Sequence, residues 1–187
     1  MATQLAALHF TGDDAADTLL AREPLALLIG FALDQQVTVQ SAFSGPLKLQ
    51  QRLGPLDAAT IAHTDPGRLE EVFRERPAIH RFPGSMARRV QDLCAYVTEE
   101  YDGDAARVWT QAADTADLKK RIGALPGFGP MKVTALGSVL ALRFGIGLAD
   151  PLVPANPCLG GVDSAEALAD YQAKKRAHKA AMRAARS

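Results

Sequence analysis

Two stretches of this 187-residue chain carry residue types suited to gripping a nucleic acid. In the first, Leu125-Pro126-Gly127-Phe128-Gly129, two glycines flank one aromatic. Glycine permits a left-handed φ and lets another molecule approach the main chain with no Cβ in the way. The N–H groups of such a turn, with those that open a following helix, make a concave donor site for a phosphate. In the second stretch, Asp34-Gln35-Gln36-Val37-Thr38 cuts off an apolar run. Amide side chains can replace a base's hydrogen bonds and can enter a duplex from which a nucleotide has been extruded. Each stretch also has a plainer reading. The glycines would suit an ordinary tight helix corner, and the glutamines a solvated helix end.

Helices must position both stretches. Asp114 or Thr115 can cap a helix that Gly123 is placed to stop, and Pro130 suits the first position of the next, where its missing N–H would be unpaired anyway. Val133, Leu136, Gly137, Leu140 and Phe144 then form one apolar stripe. Upstream, Pro24 opens residues 25–33, apolar nearly all round, which predicts a buried central helix. Residues 15–22 predict a short helix after a cap cluster, and residues 38–53 one broken at Ser44-Gly45-Pro46. Asp57 and Asp65 cap two more short ones. After a loop over 76–85, Met86, Val90, Leu93, Cys94, Val97 and Tyr101 recur at helical spacing, with Arg88 and Arg89 read as a solvated helix start. Trp109 falls in a short helix and reads as core. Residues 148–161 read as irregular loop, and a final alanine-rich helix starts at Asp163 or Ser164. No strand-like alternation persists, so the expectation is an all-α fold of about ten helices in two lobes.

The pentapeptide 125–129 resembles the hairpin of the helix-hairpin-helix DNA glycosylases, the HhH-GPD superfamily of base excision repair. Residues 35–38 are similar to the Gln-Gln-Val-Ser stretch of that family's alkylated-base branch. The resemblance covers roughly residues 24–150 and implies a two-lobed helical glycosylase fold in a single domain over 1–187, with 1–23 a lead-in and 164–187 a basic C-terminal helix. It implies that the hairpin backbone, from Leu125 through Pro126, Gly127, Phe128 and Gly129 to Met131 and Lys132, grips DNA, and that Gln36, beside Gln35, fills the gap left by the flipped base. It also implies a catalytic aspartate a short loop beyond the second hairpin helix. Asp150 falls within one residue of the family spacing, and Asp163 is the second choice. The family's Val-Asp-Thr-His pattern around that aspartate is missing here, which bears on activity more than on DNA binding.

Bifunctional members of the family place a lysine nucleophile two residues after the hairpin, where this chain has Met131. A thioether forms no Schiff base, so a monofunctional enzyme using water is expected, and Lys132, about 100° further round the helix, is left to contact phosphate. The branch kinship favours a modified purine as the base removed. A monovalent cation at the hairpin when DNA is bound is also implied. The two cysteines, Cys94 and Cys158, cannot supply the four-thiolate iron-sulfur cluster of some members, and His9, His63, His80 and His178 stand singly, so no metal is assigned.

Twenty-one Lys and Arg balance 21 Asp and Glu, so DNA binding would have to come from a local patch. One such patch is residues 174–186, with six cations and no acid, although a solvated terminal helix has the same composition. With no apolar run long enough to span a bilayer and no charged leader before an apolar segment, a cytoplasmic monomer is expected, associated with the nucleoid when bound to DNA. Two other functions remain open at this point. One is an HhH module that binds DNA without cutting a glycosidic bond; the other is a helical protein-interaction domain, which the zero net charge favours.

Overall fold

The computed structural model describes residues 5–186, and the first four residues of the lead-in lie outside them. Among the described residues the regular elements are all helical. The order is α1 (Asp14–Arg22), α2 (Pro24–Leu33), α3 (Val39–Leu53), α4 (Ala58–His63), α5 (Pro66–Arg74), α6 (Pro83–Tyr101), α7 (Arg107–Thr110), α8 (Thr115–Ala124), α9 (Pro130–Leu142) and α10 (Ala165–Ala184). Two short 3-10 helices, Gly147–Leu152 and Leu159–Gly161, occupy the stretch read as irregular loop.

Helix starts follow local chemistry. Asp13, Asp57, Asp65, Asp114 and Ser164 each accept a backbone N–H from the first turn of the helix they precede, which satisfies donors with no partner inside the helix. Pro24, Pro66, Pro83 and Pro130 open α2, α5, α6 and α9. Pro83 therefore starts α6 three residues earlier than the apolar stripe indicates.

Two boundaries differ from expectation. Gly123 does not stop α8, which runs on to Ala124 and is closed by the Leu125 N–H donating to the Ile122 carbonyl. Gly45 and Pro46 do not break α3 either. Gly45 is there because a Cβ would collide with Leu33, so α3 crosses α2 closely at that point. Burial against α2 outweighs the hydrogen bond that Pro46 cannot donate.

Nine of the ten residues of α2 are buried, as expected of the central helix. Helices α1–α6 pack mainly among themselves, and α7–α9 pack with one another and with the 3-10 helices, yet one apolar cluster runs unbroken from Leu8 to Leu168. Trp109 and the Cys94 stripe lie in that cluster. The lead-in is pinned by Asp17, only 5% exposed, whose Oδ1 accepts from the Phe10 N–H at 3.1 Å, the Thr11 N–H at 3.0 Å and the Thr11 hydroxyl at 2.9 Å. No described helix is long and apolar enough to cross a membrane.

Candidate nucleic-acid interface

The hairpin joins α8 to α9 through a turn closed by the Phe128 N–H, which donates to the Leu125 carbonyl at 3.0 Å. Leu125 and Phe128 are core residues, 2% and 5% exposed, so only their backbone can face a ligand, and the Phe128 amide is already used. Gly127 has φ +82. Gly129 does not share that conformation: its φ of −80 and ψ of −179 are extended backbone open to any residue. A Cβ on Gly129 would meet nothing within 4 Å, so internal packing gives no reason for glycine there. The N–H groups of Gly127, Gly129, Met131 and Lys132 have no hydrogen-bond partner among the described residues, and both glycines are exposed. Four unpaired donors thus surround the corner, at the positive end of the α9 dipole. The carbonyls of Pro126, Gly127 and Phe128 also accept nothing, an all-oxygen set of the kind a hard monovalent cation takes.

The second stretch comes to this corner. Asp34 caps the C-terminal end of α2, and Gln35, Gln36 and Val37 form the loop to α3. Arg89 of α6 donates from its guanidinium to the Gln35 side chain, and its stem lies 3.1 Å from where a Cβ on Gly127 would stand. Lys132 turns inward, with Nζ 3.5 Å from the Ala32 carbonyl and 5.8 Å from the centre of the Phe128 ring. It braces the hairpin against α2 instead of reaching outward for phosphate. Gln35 is likewise held within the protein by Arg89, which leaves the exposed Gln36 as the free amide. Gln36 has φ +56, uncommon for a residue with a side chain and a form of strain that gathers at functional loops.

His80, buried, holds this loop from behind. Its Nε2 lies 3.1 Å from both the Leu33 and Gln35 carbonyls, while Nδ1 accepts the Phe82 N–H at 3.0 Å. That pattern fixes a neutral ring protonated on Nε2. Burial lowers its affinity for a second proton, and the nearby Arg81 and Arg89 push the same way, while the two carbonyl contacts oppose them.

Three carboxylates bear on chemistry here. Asp34 is half-buried, its carboxylate forms no hydrogen bond and no ion pair within 4 Å among the described residues, and it lies within electrostatic reach of Lys132, Lys175 and Tyr171. Burial raises its pKa above the ordinary carboxylate value, with Lys175 and then Lys132 pulling it back. Lys132 is shifted down, first by burial and then by Arg89. Asp150 is exposed on the first 3-10 helix. That helix starts where the Thr115 hydroxyl donates to the Leu148 carbonyl at 2.8 Å, at the end of α8 opposite the turn, and Leu152 at its other end packs on Gly137. Asp163 is exposed just before the Ser164 cap of α10. The structure thus brings Gln35, Gln36 and the hairpin together and adds Asp34, Arg89 and His80, whose roles the sequence did not signal. Arg89 and His80 act across long chain separations, and Asp34 reads in the sequence only as the end of an apolar run.

Met131 is 84% exposed, directly after the corner. No group of three or more His, Cys, Asp or Glu suited to a metal occurs among the described residues, and both cysteines are free thiols. Recesses of about 520 and 500 Å³ open on the α1–α3 face, lined by residues such as Thr18, Leu47 and Gln51, and include neither the hairpin residues nor Asp34, Gln35 or Gln36. No protein-family model matches the chain, and no curated protein matches it.

Proposed function

We propose that this protein is a monofunctional DNA glycosylase of base excision repair, acting on a base flipped out of duplex DNA. The observation that carries the reading is the meeting of two remote stretches. Arg89 holds the Gln35–Gln36 loop, and Lys132 the end of α2 before it, against the Gly127–Gly129 corner, with backbone donors and one strained, exposed amide left free. The corner amides grip a phosphate, and Gln36 occupies the stack where the nucleotide has left.

The reaction is hydrolysis. Water adds to C1′ of the sugar, the N-glycosidic bond breaks with its electron pair going to the base, and the departing base is protonated. A carboxylate stabilises the positive charge that builds on the sugar and accepts the proton from the attacking water. Family spacing nominates Asp150, with Asp163 second. Asp34 is the acid that lies within electrostatic reach of Lys132, Lys175 and Tyr171, and the step is assigned to it here. Met131 stands in the place of a lysine nucleophile, and the next amine, Lys132, is turned inward against the Ala32 carbonyl, so strand cleavage through a Schiff base is not expected.

The test is a panel of duplexes carrying uracil, hypoxanthine, 3-methyladenine or 8-oxoguanine, treated with alkali to reveal abasic sites. Product on one lesion, and none without alkali, is expected. Duplex binding with no product on any lesion would leave a non-catalytic DNA-binding module, and no binding at all would favour a protein-interaction domain.

A further inference from the structure

The C-terminal helix α10 changes character along its length. Its first half docks: Leu168 is buried, Tyr171 and Gln172 are half-buried, and Gln172 exchanges two hydrogen bonds with Gln40 of α3 at 2.6 and 3.2 Å. Residues 173–186 are exposed throughout. At about 100° per residue, the docked Leu168, Tyr171 and Gln172 and the cations Lys175 and Lys179 fall on one side of the helix, with Arg176 and Arg183 at its margin and Arg186 just past its C-terminal end. Glu166 and Asp170 fall on the other side, where Lys174 pairs with Asp170 at 2.7 Å. The face that docks on Gln40 and comes within electrostatic reach of Asp34 therefore continues beyond the body as a basic strip. Lys175, within electrostatic reach of Asp34 and 5.8 Å from the Tyr171 ring centre, marks the junction.

Charge is segregated to match. Residues 1–173 carry 15 Lys and Arg against 21 Asp and Glu, and residues 174–186 carry six cations and no acid. A body with that acidic excess repels a polyanion, so the strip supplies the attraction that the rest of the chain lacks.

We propose that the strip from Lys175 to Arg186 is a second phosphate-binding surface, which lies along the backbone of the same duplex the hairpin holds. This rests on the DNA-binding reading of the hairpin. The strip is about 16 Å long, enough to face several phosphates spaced about 3.4 Å along the duplex axis.

The experiment uses the full chain and an undamaged fluorescent duplex, with binding followed by anisotropy across a salt series. In the triple variant Arg176→Gln, Lys179→Gln, Arg186→Gln, the slope of log K against log salt is expected to fall by about 2 to 3, at roughly 0.9 for each phosphate no longer neutralised. Affinity at low salt should drop more than tenfold, while Arg176→Lys with Arg186→Lys keeps the parent's values. A parent that binds and a triple variant with the same slope would overturn the strip and leave the hairpin standing. A parent that binds no duplex would remove both. Strip-dependent binding to phosphatidylglycerol vesicles with duplex binding unchanged would also overturn the proposal, by assigning the strip to a membrane surface.

Discussion

The two hairpin glycines separate fold from function, because only one of them is required by the backbone. At Gly127, with φ +82, an alanine costs about 1–2 kcal/mol of left-handed strain. Its Cβ would also stand 3.1 Å from the Arg89 stem and displace the guanidinium that holds Gln35. The expected loss is a Tm lowered by roughly 2–8 °C, together with weakened DNA binding. At Gly129, with φ −80 and open space around the missing Cβ, alanine brings no strain and no clash. Its stability cost is limited to the poorer helix start, about 1 kcal/mol or less. If the corner holds phosphate, that Cβ stands where the ligand approaches the Gly129 and Met131 amides. Losing one charge-assisted hydrogen bond of about 1.5–3 kcal/mol weakens duplex binding roughly 10- to 150-fold. Thermal denaturation and duplex anisotropy on Gly127→Ala, Gly129→Ala and the parent make the comparison. A Gly129→Ala protein that is stable and binds as the parent does would refute the hairpin reading.

Other outcomes follow from the same geometry. Asp34→Asn should slow base release by a factor of about 10²–10⁴ with duplex affinity kept, and the parent's rate should be lost as pH falls through the Asp34 pKa, which burial raises above that of an exposed aspartate; unchanged release by Asp34→Asn alongside a dead Asp150→Asn or Asp163→Asn would move the chemistry to the acid that spacing nominates. Gln36→Gly should relieve the φ +56 strain and leave stability equal or higher while base release falls; release at the parent's rate would remove Gln36 from the role of plug. His80 binds a proton less readily folded than at the exposed value of 6.5, so the stability it contributes is complete above that pH and is lost as pH falls below it. Denaturant titrations should show a smaller loss between pH 6.5 and 5 in His80→Gln than in the parent, and equal losses would refute the neutral buried ring. Asp17→Ala strands the Phe10 and Thr11 N–H groups and should cost about 3 kcal/mol; a denaturation midpoint close to the parent's would show that the lead-in is not pinned there.

Much of the helical framework was legible from local signals. Caps at Asp13, Asp57, Asp65 and Ser164 and prolines at helix starts act within one turn, so the sequence displays them directly. The continuity of α3 through Pro46 was not legible, because it depends on the close crossing with Leu33. The same holds for the site. Gln35, Gln36 and the glycine corner stood out by residue type, but Arg89 looked like any charged residue near a helix start until folding brought Gln35 and Gly127 to it. Asp34 comes within electrostatic reach of Lys132 and Lys175, both remote in the chain, only once the protein is folded. Gly129 also illustrates the limit, since both glycines suggested left-handed backbone and only Gly127 has it.

The unbroken apolar cluster linking the two helix groups has a mechanical consequence. A jaw-like opening between them would tear side chains out of a shared interior, so the protein meets its partner as a stiff surface. If that partner is duplex DNA, as proposed above, the bending and unstacking fall on the double helix, and occupancy should track how readily a given step yields: mispaired or pyrimidine–purine junctions ahead of rigid A-tracts, even where no side chain touches the bases concerned.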